Sequence, residues 1–191
     1  MRYRKVGREQ TTRKLIAAVS RNGIEGMTLL DIGGGVGGIQ HTLLEDGVVN
    51  ATSVDASSAY VKAAQEEASR RGLEDRITFL HGDFVDLAEE LPQADIVTLD
   101  RVVCCYDNLK ALVKLSAMKA RKRYGLVFPR DLRLFRMLLP VANFFITLTG
   151  SPFRIFIHST EQVEKILKEQ GLVKQYHQKA GFWQIIVYNR V

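Results

Sequence analysis

The chain has 191 residues, of which 46% are hydrophobic and 25% are charged. This length predicts a single domain over 1–191, and the composition excludes a disordered, collagenous or coiled-coil protein. No stretch approaches the roughly 20 apolar residues that a membrane-spanning helix needs. The two cysteines, Cys104 and Cys105, are adjacent, which excludes a disulfide framework and indicates a reducing compartment. These features predict a soluble, cytoplasmic protein.

The net charge of +6 is concentrated in two segments. Residues 1–14 carry a net charge of +5 and residues 119–136 carry +6, so the remainder of the chain is acidic. Two basic segments on such a body are compatible with binding RNA, anionic lipid or an acidic small molecule. They are equally compatible with a solvated helix face and a frayed terminus.

Strands and helices alternate along the chain. An N-terminal arm, 1–25, contains an amphipathic helix over 9–22. Apolar runs then predict strands at 27–32, 48–55, 76–81, 94–100 and 124–128. Helices are predicted between them at 37–46, 57–71, 84–90 and 109–121, and a last helix opens at 159–161 and ends at Gly171. Two closing strands follow near 172–178 and 182–190, with Gly181 at the turn.

This alternation predicts an α/β protein with a Rossmann-like, doubly wound sheet of seven strands and helices on both faces. Fully apolar strands and short connections favour a mostly parallel sheet, with the last strand antiparallel. In sheets of this kind the ligand binds at the carboxyl ends of the strands.

A glycine-rich turn follows the first strand and reads Asp31-Ile-Gly-Gly-Gly-Val-Gly37. Glycines let the backbone approach a ligand closely, and the N-terminus of the next helix favours polar or anionic groups. Asp55 ends the second strand, where a carboxylate can accept both hydroxyls of a ribose. Asp83 follows the third strand, where it can accept the exocyclic amine of adenine while Phe84 stacks on the ring.

The segments LLDIGGGVGG, SVDAS, HGDF and ADIVTLD, in this order, resemble the successive motifs of class I S-adenosylmethionine-dependent methyltransferases. Asp31, two residues before the first glycine, fits the D/E-x-G-x-G-x-G pattern of that family. The resemblance covers about residues 9–130. The segments DRVVCCYDN, GLVFPRD and SPFRIFIHS are similar to a branch of small bacterial members, and the ending GFWQIIVYNR loosely resembles magnesium-protoporphyrin O-methyltransferases.

The resemblance implies S-adenosylmethionine as cofactor and S-adenosylhomocysteine as product. It implies that the methionine part of the cofactor lies over Gly33, Gly34, Gly35 and Gly37, with Asp31 near its ammonium group. Asp55 would hold the ribose, Ala56 would lie beside the adenine, and Asp83 and Phe84 would hold the adenine. Asp100 and Arg101 would lie beside the methionine and the acceptor.

Methyl transfer from a sulfonium is an in-line displacement that depends mainly on positioning. A general base is needed only where the acceptor holds a proton of high pKa. There are three candidates for catalysis. Arg101 could pair with an acidic substrate, or simply with Asp100. Tyr106 could line the acceptor pocket, and His158 could act as a base. Cys104 and Cys105 are interpreted as small core residues rather than nucleophiles.

No metal site is predicted. The four histidines lack ligand spacing, and the segment after the fifth strand lacks the Asn of a metal-dependent catechol-type site.

Residues 130–158 form an apolar insert that has three interpretations: a lid over the acceptor, ordinary helix packing against the sheet, or a helix at a membrane surface. Its large apolar residues are Phe135, Met137, Leu138, Leu139, Phe144, Phe145, Phe153 and Phe156.

The predicted function is methyl transfer from S-adenosylmethionine to a small, apolar acceptor, at oxygen. The alternatives are an RNA methyltransferase that uses segments 1–14 and 119–136, a cofactor-binding subunit that is non-catalytic or depends on a partner, and a nicotinamide-dependent oxidoreductase. The sequence leaves the oligomeric state open.

Overall fold

A computed structural model of the protein describes residues 10–148, 150 and 154–191. Within helix 133–148, the side chains of 133–136, 138 and 142 are not among the described atoms. Most of the basic segment 1–14 therefore lies outside what the structure describes. The same is true of three side chains of the apolar insert, those of Phe135, Leu138 and Phe153.

The described residues form a sheet in the order β3-β2-β1-β4-β5-β7-β6. The strands are β1 (Thr28–Ile32), β2 (Asn50–Asp55), β3 (Ile77–His81), β4 (Ala94–Asp100), β5 (Ala120–Pro129), β6 (Leu172–Ala180) and β7 (Trp183–Arg190). The first five strands pair in parallel, and β7 runs antiparallel to both β5 and β6. The predicted seven-stranded sheet with an antiparallel last strand is confirmed.

The helices are α1 (Gln10–Val19), α2 (Gly38–Glu45), α3 (Ser58–Arg71), α4 (Phe84–Leu87), α5 (Leu109–Lys119), α6 (Arg133–Leu148) and α7 (Thr160–Glu169). Side chains cap the starts of several of them: Ser57 accepts from the Tyr60 amide, and Asn108 accepts from the Ala111 amide. Gly72 ends α3 in the left-handed conformation. Polar caps and glycine stops thus explain why these boundaries were readable from the sequence.

The core lies on both faces of the sheet. Alternate residues of β1 divide between two clusters: Leu30 and Ile32 pack with α5 and α7, and Leu29 packs with α1 and α2. Helix α1 lies so close to β5 that a Cβ on Gly125 would come 2.9 Å from both Leu15 and Val19. The N-terminal helix is therefore part of the core.

The structure corrects the end of the predicted helix 109–121. Helix α5 stops at Lys119, and the basic residues that follow belong to β5. Arg121 and Lys122 form ion pairs with Asp95, which lies at the amino-terminal end of the neighbouring strand β4. Pairing of β5 with β4 thus overrides the helical preference of these long side chains.

Arg123 is a buried structural residue. Its guanidinium donates to the carbonyl groups of Val19, Asn22 and Gly23, at the end of α1, over 2.5–3.2 Å. The expectation of a solvated helix face is therefore wrong for residues 121–123. These three residues also contribute less to a free basic surface for RNA than their charge suggests.

Helix α6 exposes apolar side chains. Met137, Val141, Phe144, Phe145 and Leu148 are each more than half exposed. Packing against the sheet, one of the three interpretations of the insert, does not describe these five side chains. None of the described helices is both long and apolar enough to cross a membrane.

Candidate functional site

The carboxyl ends of β1, β2 and β4 bring three carboxylates to one edge of the sheet. Asp31 lies in β1, Asp55 ends β2 and Asp100 ends β4. β1 lies between β2 and β4. These three side chains come from positions far apart in the chain, and the parallel register places them together. The edge is anionic and therefore suits a ligand that carries positive charge.

Asp31 is the buried centre of this edge, with 2% of its surface exposed. It accepts a hydrogen bond of 2.7 Å from the Thr98 hydroxyl. Burial raises the pKa of Asp31 to about 7, the charges of Asp100 and Asp55 act in the same direction, and the Thr98 hydrogen bond partly opposes them. A cation bound beside Asp31 would favour its ionised form.

The glycine turn lies beside Asp31. Gly33, Gly35 and Gly37 have positive φ angles of 66°, 55° and 86°. A Cβ on Gly34 would lie 2.5 Å from the Ser53 hydroxyl and 2.9 Å from the Gln40 side-chain oxygen. A Cβ on Gly35 would meet nothing within 4 Å. Gly35 therefore presents bare backbone to open space.

Asp55 holds the turn in place. Its carboxylate accepts hydrogen bonds from the amides of Gly35, at 2.9 Å, and Ser57, at 2.8 Å. A carboxylate has about four acceptor positions, so Asp55 retains capacity for hydroxyl groups of a ligand. Ala56 is exposed beside it, and its carbonyl contacts His81 at 3.1 Å.

Asp83 and Phe84 make contacts that the sequence did not predict. Asp83 caps α4 through the Val85 amide and accepts the Tyr106 hydroxyl at 2.9 and 3.0 Å. Phe84 is 4% exposed and belongs to the core. Its ring therefore has little free face on which an adenine could stack, because it anchors α4 against the sheet.

Tyr106 is a hydrogen-bond donor. Burial and the adjacent Asp83 raise its pKa well above the ordinary value. A tyrosine in this state keeps its proton near neutral pH. Its hydroxyl therefore ties the loop after β4 to Asp83.

Arg101 begins the loop after β4 in a left-handed conformation, with φ of 63°. Its side chain contacts Asp100 at 3.2 Å and approaches the ring of Trp183. Non-glycine residues in this conformation cost about 1–3 kcal/mol and cluster at functional sites. The ion pair with Asp100 that the sequence suggested is present.

His158 is anchored to the same loop. Its Nε2 lies 2.8 Å from the Tyr106 carbonyl oxygen. Because a carbonyl can only accept, Nε2 carries the proton of the neutral ring and Nδ1 carries the lone pair. The amide of Phe156 donates to the Cys104 carbonyl at 2.7 Å. Residues 154–158, which follow the apolar helix, thus run along the loop after β4.

One contact had no signal in the sequence. The Thr12 hydroxyl of α1 donates to Asp100 at 2.5 Å across 88 residues. The N-terminal helix therefore reaches the functional edge as well as the core. Among the described residues, no cluster of three or more His, Cys, Asp or Glu side chains could hold a metal ion.

Known proteins match this chain in sequence and in fold. A sequence profile described as "Methyltransferase domain" matches residues 24–178. The ubiquinone/menaquinone biosynthesis C-methyltransferase of Allorhizobium ampelinum is 32% identical over 87 residues, which cover 44% of this chain and 34% of that enzyme. The match therefore spans about a third of the length of this curated relative.

Two solved structures show the same fold. Magnesium protoporphyrin IX methyltransferase of Synechocystis PCC 6803, crystallised with S-adenosylmethionine, is 22% identical, with a TM-score of 0.76 over 98% of this chain and 81% of that one. Mitomycin 7-O-methyltransferase is 21% identical, with a TM-score of 0.67 over 95% and 54% of the two chains. The profile match favours methyl transfer over the oxidoreductase alternative. The chain belongs to the methyltransferase-domain family, and it has the fold of a methyltransferase crystallised with S-adenosylmethionine.

Proposed function

We propose that this protein methylates a small apolar acceptor at oxygen, with the cofactor bound at the edge formed by Asp31, Asp55 and Asp100. The cofactor supplies an electrophilic methyl group on a sulfonium, so the task of the chain is to hold it and to align the acceptor. Asp31 would pair with the ammonium group and Asp55 with the ribose hydroxyls. The buried Asp31 carboxyl, whose ionised form a neighbouring cation would favour, and the open space above Gly35 fit such a cationic ligand.

The other predicted cofactor contacts are proposed at the rim of this site. Gly33, Gly34 and Gly37 shape the turn below the methionine part. Ala56 would lie beside the adenine, and Asp83, although it holds Tyr106, remains the acceptor proposed for the adenine amine. Asp100 and Arg101 would form the wall between the methionine and the acceptor.

The main support for an apolar acceptor is the exposed apolar face of α6. Residues 132–160 contain no Asp or Glu, and Arg133, Arg136 and Arg154 give this stretch a net charge of +3. Exposed apolar side chains flanked by cationic residues suit the surface of an anionic bilayer. We therefore propose that α6 lies on such a surface and admits an acceptor that is dissolved in it.

Vesicle binding tests this surface. Burial of one Phe side chain is worth about 1.5–3 kcal/mol, so Phe144→Ser together with Phe145→Ser should weaken binding to phosphatidylglycerol vesicles by at least about tenfold. Val173→Ser is the control, because Val173 is an exposed apolar residue of β6, away from α6. Equal vesicle binding by the wild type and the double variant would refute the membrane contact.

We propose His158 as the general base, because its Nε2 contact with the Tyr106 carbonyl leaves Nδ1 to accept a proton. The variant His158→Gln keeps a donor for the Tyr106 carbonyl and removes the basic nitrogen. General-base catalysis contributes about 10²–10⁴-fold, so the rate of methyl transfer should fall by at least about a hundredfold while the cofactor Kd stays unchanged. Phe156→Leu, which alters the ring stacked on His158, is the control for packing. A rate within about twofold of wild type would remove His158 from the mechanism.

The proposed acceptor class draws some support from the relatives. Two proteins of the same fold are named for a magnesium protoporphyrin and a mitomycin, which are small organic acceptors. A third relative is a C-methyltransferase of quinone biosynthesis. These relatives therefore differ in the acceptor atom. Oxygen is part of our proposal, and the experiment below tests it.

The test is transfer of labelled methyl. The protein would be incubated with methyl-labelled S-adenosylmethionine and an extract of its native cell, and the label would be separated into the organic phase, precipitated RNA and protein, and the aqueous fraction. Our proposal expects enzyme-dependent label in the organic phase that alkaline hydrolysis releases or that oxygen-linked methyl analysis identifies. Label confined to RNA would contradict it, and binding without label in any fraction would favour the non-catalytic or partner-dependent alternative.

A further inference from the structure

Cys104 and Cys105 form a close pair of thiols that the proposed mechanism does not use. They lie in a short 3₁₀ turn, Val103–Cys105, and their sulfur atoms are 3.6 Å apart. Both sulfurs also approach the Arg101 carbonyl oxygen, at 3.3 and 3.5 Å. The turn thus directs two successive side chains to the same side, although neighbouring residues of an extended chain point to opposite sides.

The two thiols differ in access. Cys104 is 5% exposed, as expected of a core residue, whereas Cys105 is exposed. A hydrogen bond from Cys104 and the charge of Arg101 lower the pKa of Cys105, against the effect of burial. The pKa of Cys104 is raised by its contact with Cys105 and by burial. An accessible thiol of lowered pKa beside a second thiol is the arrangement of redox-sensitive cysteines.

The pair lies in the loop that connects the cofactor edge with the apolar segment. Arg101 precedes it and Tyr106, which binds Asp83, follows it. The Cys104 carbonyl accepts from the Phe156 amide, and the Tyr106 carbonyl accepts from His158. A change in the backbone of 104–105 therefore acts directly on the segment that carries His158.

We propose that Cys104 and Cys105 form a peroxide-sensitive dithiol whose oxidation to a disulfide inactivates the acceptor side of the site. The Cys105 thiolate attacks a peroxide oxygen, which breaks the O–O bond, gives a sulfenic acid and releases hydroxide. The Cys104 thiol then attacks the Cys105 sulfur and displaces water. Overall, two thiols and one hydrogen peroxide give one disulfide and two water molecules, and a thiol reductant reverses the change.

Closure of the disulfide requires movement of the loop. The two sulfur atoms must approach from 3.6 Å to a bond of about 2.05 Å. The 3₁₀ turn that holds both side chains must rearrange to allow this. We therefore expect the hydrogen bonds to Phe156 and His158 to be lost while Asp31 and Asp55, on other strands, keep their arrangement.

Mass spectrometry tests the chemical step independently of any methyl acceptor. The full chain would be treated with hydrogen peroxide near equimolar concentration, and free thiols would then be alkylated. Because trypsin does not cut between 102 and 110, one peptide contains both cysteines. We expect this peptide to lose two hydrogens and to escape alkylation, with full recovery after dithiothreitol. Alkylation of both thiols, or disulfides only between chains, would overturn the proposal.

Single variants assign the roles of the two thiols. With Cys104→Ser, Cys105 should accumulate as a sulfenic acid that dimedone traps. With Cys105→Ser, peroxide should leave Cys104 reduced. Equal trapping at Cys104 in the second variant would contradict the assignment. Thermal unfolding of both reduced variants verifies that they are folded.

The effect on activity rests on the proposed function and has a separate readout. Oxidation of the wild type should lower methyl transfer by at least about tenfold, the scale expected for misplacement of an acceptor, while the Kd for S-adenosylhomocysteine changes by less than about twofold. Full activity of the disulfide form would overturn the inactivation. If reduced protein methylates no acceptor but the disulfide still forms, the proposed function fails and the modification site stands.

Discussion

Gly35→Ala is expected to lower the affinity for S-adenosylhomocysteine by more than about tenfold and to cost only about 1–2 kcal/mol of stability, the penalty of a left-handed alanine. The added methyl group meets no protein atom within 4 Å, so the loss of stability reflects the φ of 55° alone. The same methyl group occupies the space in which we place the methionine part of the cofactor. Calorimetric titration and thermal unfolding measure the two effects separately.

Two further glycines make this prediction specific. Gly23 has a φ of 72° and equally open surroundings but precedes β1, so Gly23→Ala should reproduce the loss of stability and leave affinity unchanged. At Gly33, a Cβ would lie 2.3 Å from Val102. Gly33→Ala should therefore cost about 1–3 kcal/mol more than Gly35→Ala because of overpacking, and Val102→Ala should recover part of this loss. Equal affinities for the Gly35 and Gly23 variants would place the cofactor elsewhere.

Asp31→Asn is expected to weaken S-adenosylhomocysteine binding at pH 8 by about 10–100-fold, because a hydrogen bond to a charged group contributes about 1.5–3 kcal/mol. In the absence of ligand, the same substitution should make the protein more stable relative to wild type as pH rises. The pKa of Asp31 is near 7 in the folded chain and near 3.8 in the unfolded one. Between these values the folded state holds the extra proton, so its stability falls as pH increases, by about 1.4 kcal/mol per unit.

Comparison of variants isolates this effect. Burial lowers the pKa of His41 to about 4, so His41 contributes stability above pH 6.5 that is lost as pH falls. Both the wild type and Asp31→Asn retain His41, so the stability of Asp31→Asn relative to wild type should rise from pH 5 to 7 and then level off. Wild-type affinity of the variant at pH 8, or a flat stability difference, would contradict the assignment of Asp31.

Asp95 provides the matched control at the opposite edge of the sheet. Burial raises its pKa, but hydrogen bonds from Thr28 and Lys122 and the charge of Arg121 outweigh this, and the net pKa is lowered. The stability that Asp95 contributes is therefore present at neutral pH and lost on acidification. Asp95→Asn should destabilise the protein most near neutral pH and leave cofactor affinity unchanged.

The strand pattern and the glycine turn could be predicted because both are local. Apolar runs identified the five parallel strands, and the acids at the ends of β1, β2 and β4 follow from the rule that ligands bind at the carboxyl edge. The contact between Thr12 and Asp100 joins residues 88 positions apart and leaves no mark on local sequence. The same holds for the Tyr106 hydroxyl, which donates to Asp83 from 23 positions away.

Two differences between the sequence-based predictions and the structure have a common cause. Residues 120 and 121 were predicted as the end of a helix, and Phe84 was predicted to stack on adenine. In both cases tertiary packing determines the structure. Residues 120–123 join the sheet through pairing with β4, and Phe84 packs in the core. Single-residue preferences are too weak to compete with such burial, which is worth about 1.5–3 kcal/mol for one large apolar side chain.

Hydrogen–deuterium exchange with and without saturating S-adenosylhomocysteine tests the location of the cofactor most directly. We predict slower exchange in peptides that cover 31–38, 55–57 and 100–106, where the turn, the Asp55 loop and the loop after β4 meet. Exchange in β6 and in the C-terminal part of α3, which lie away from this edge, should stay the same. Protection confined to the opposite edge, near Thr28 and Asp95, or no change when titration shows a bound ligand, would contradict the assigned site.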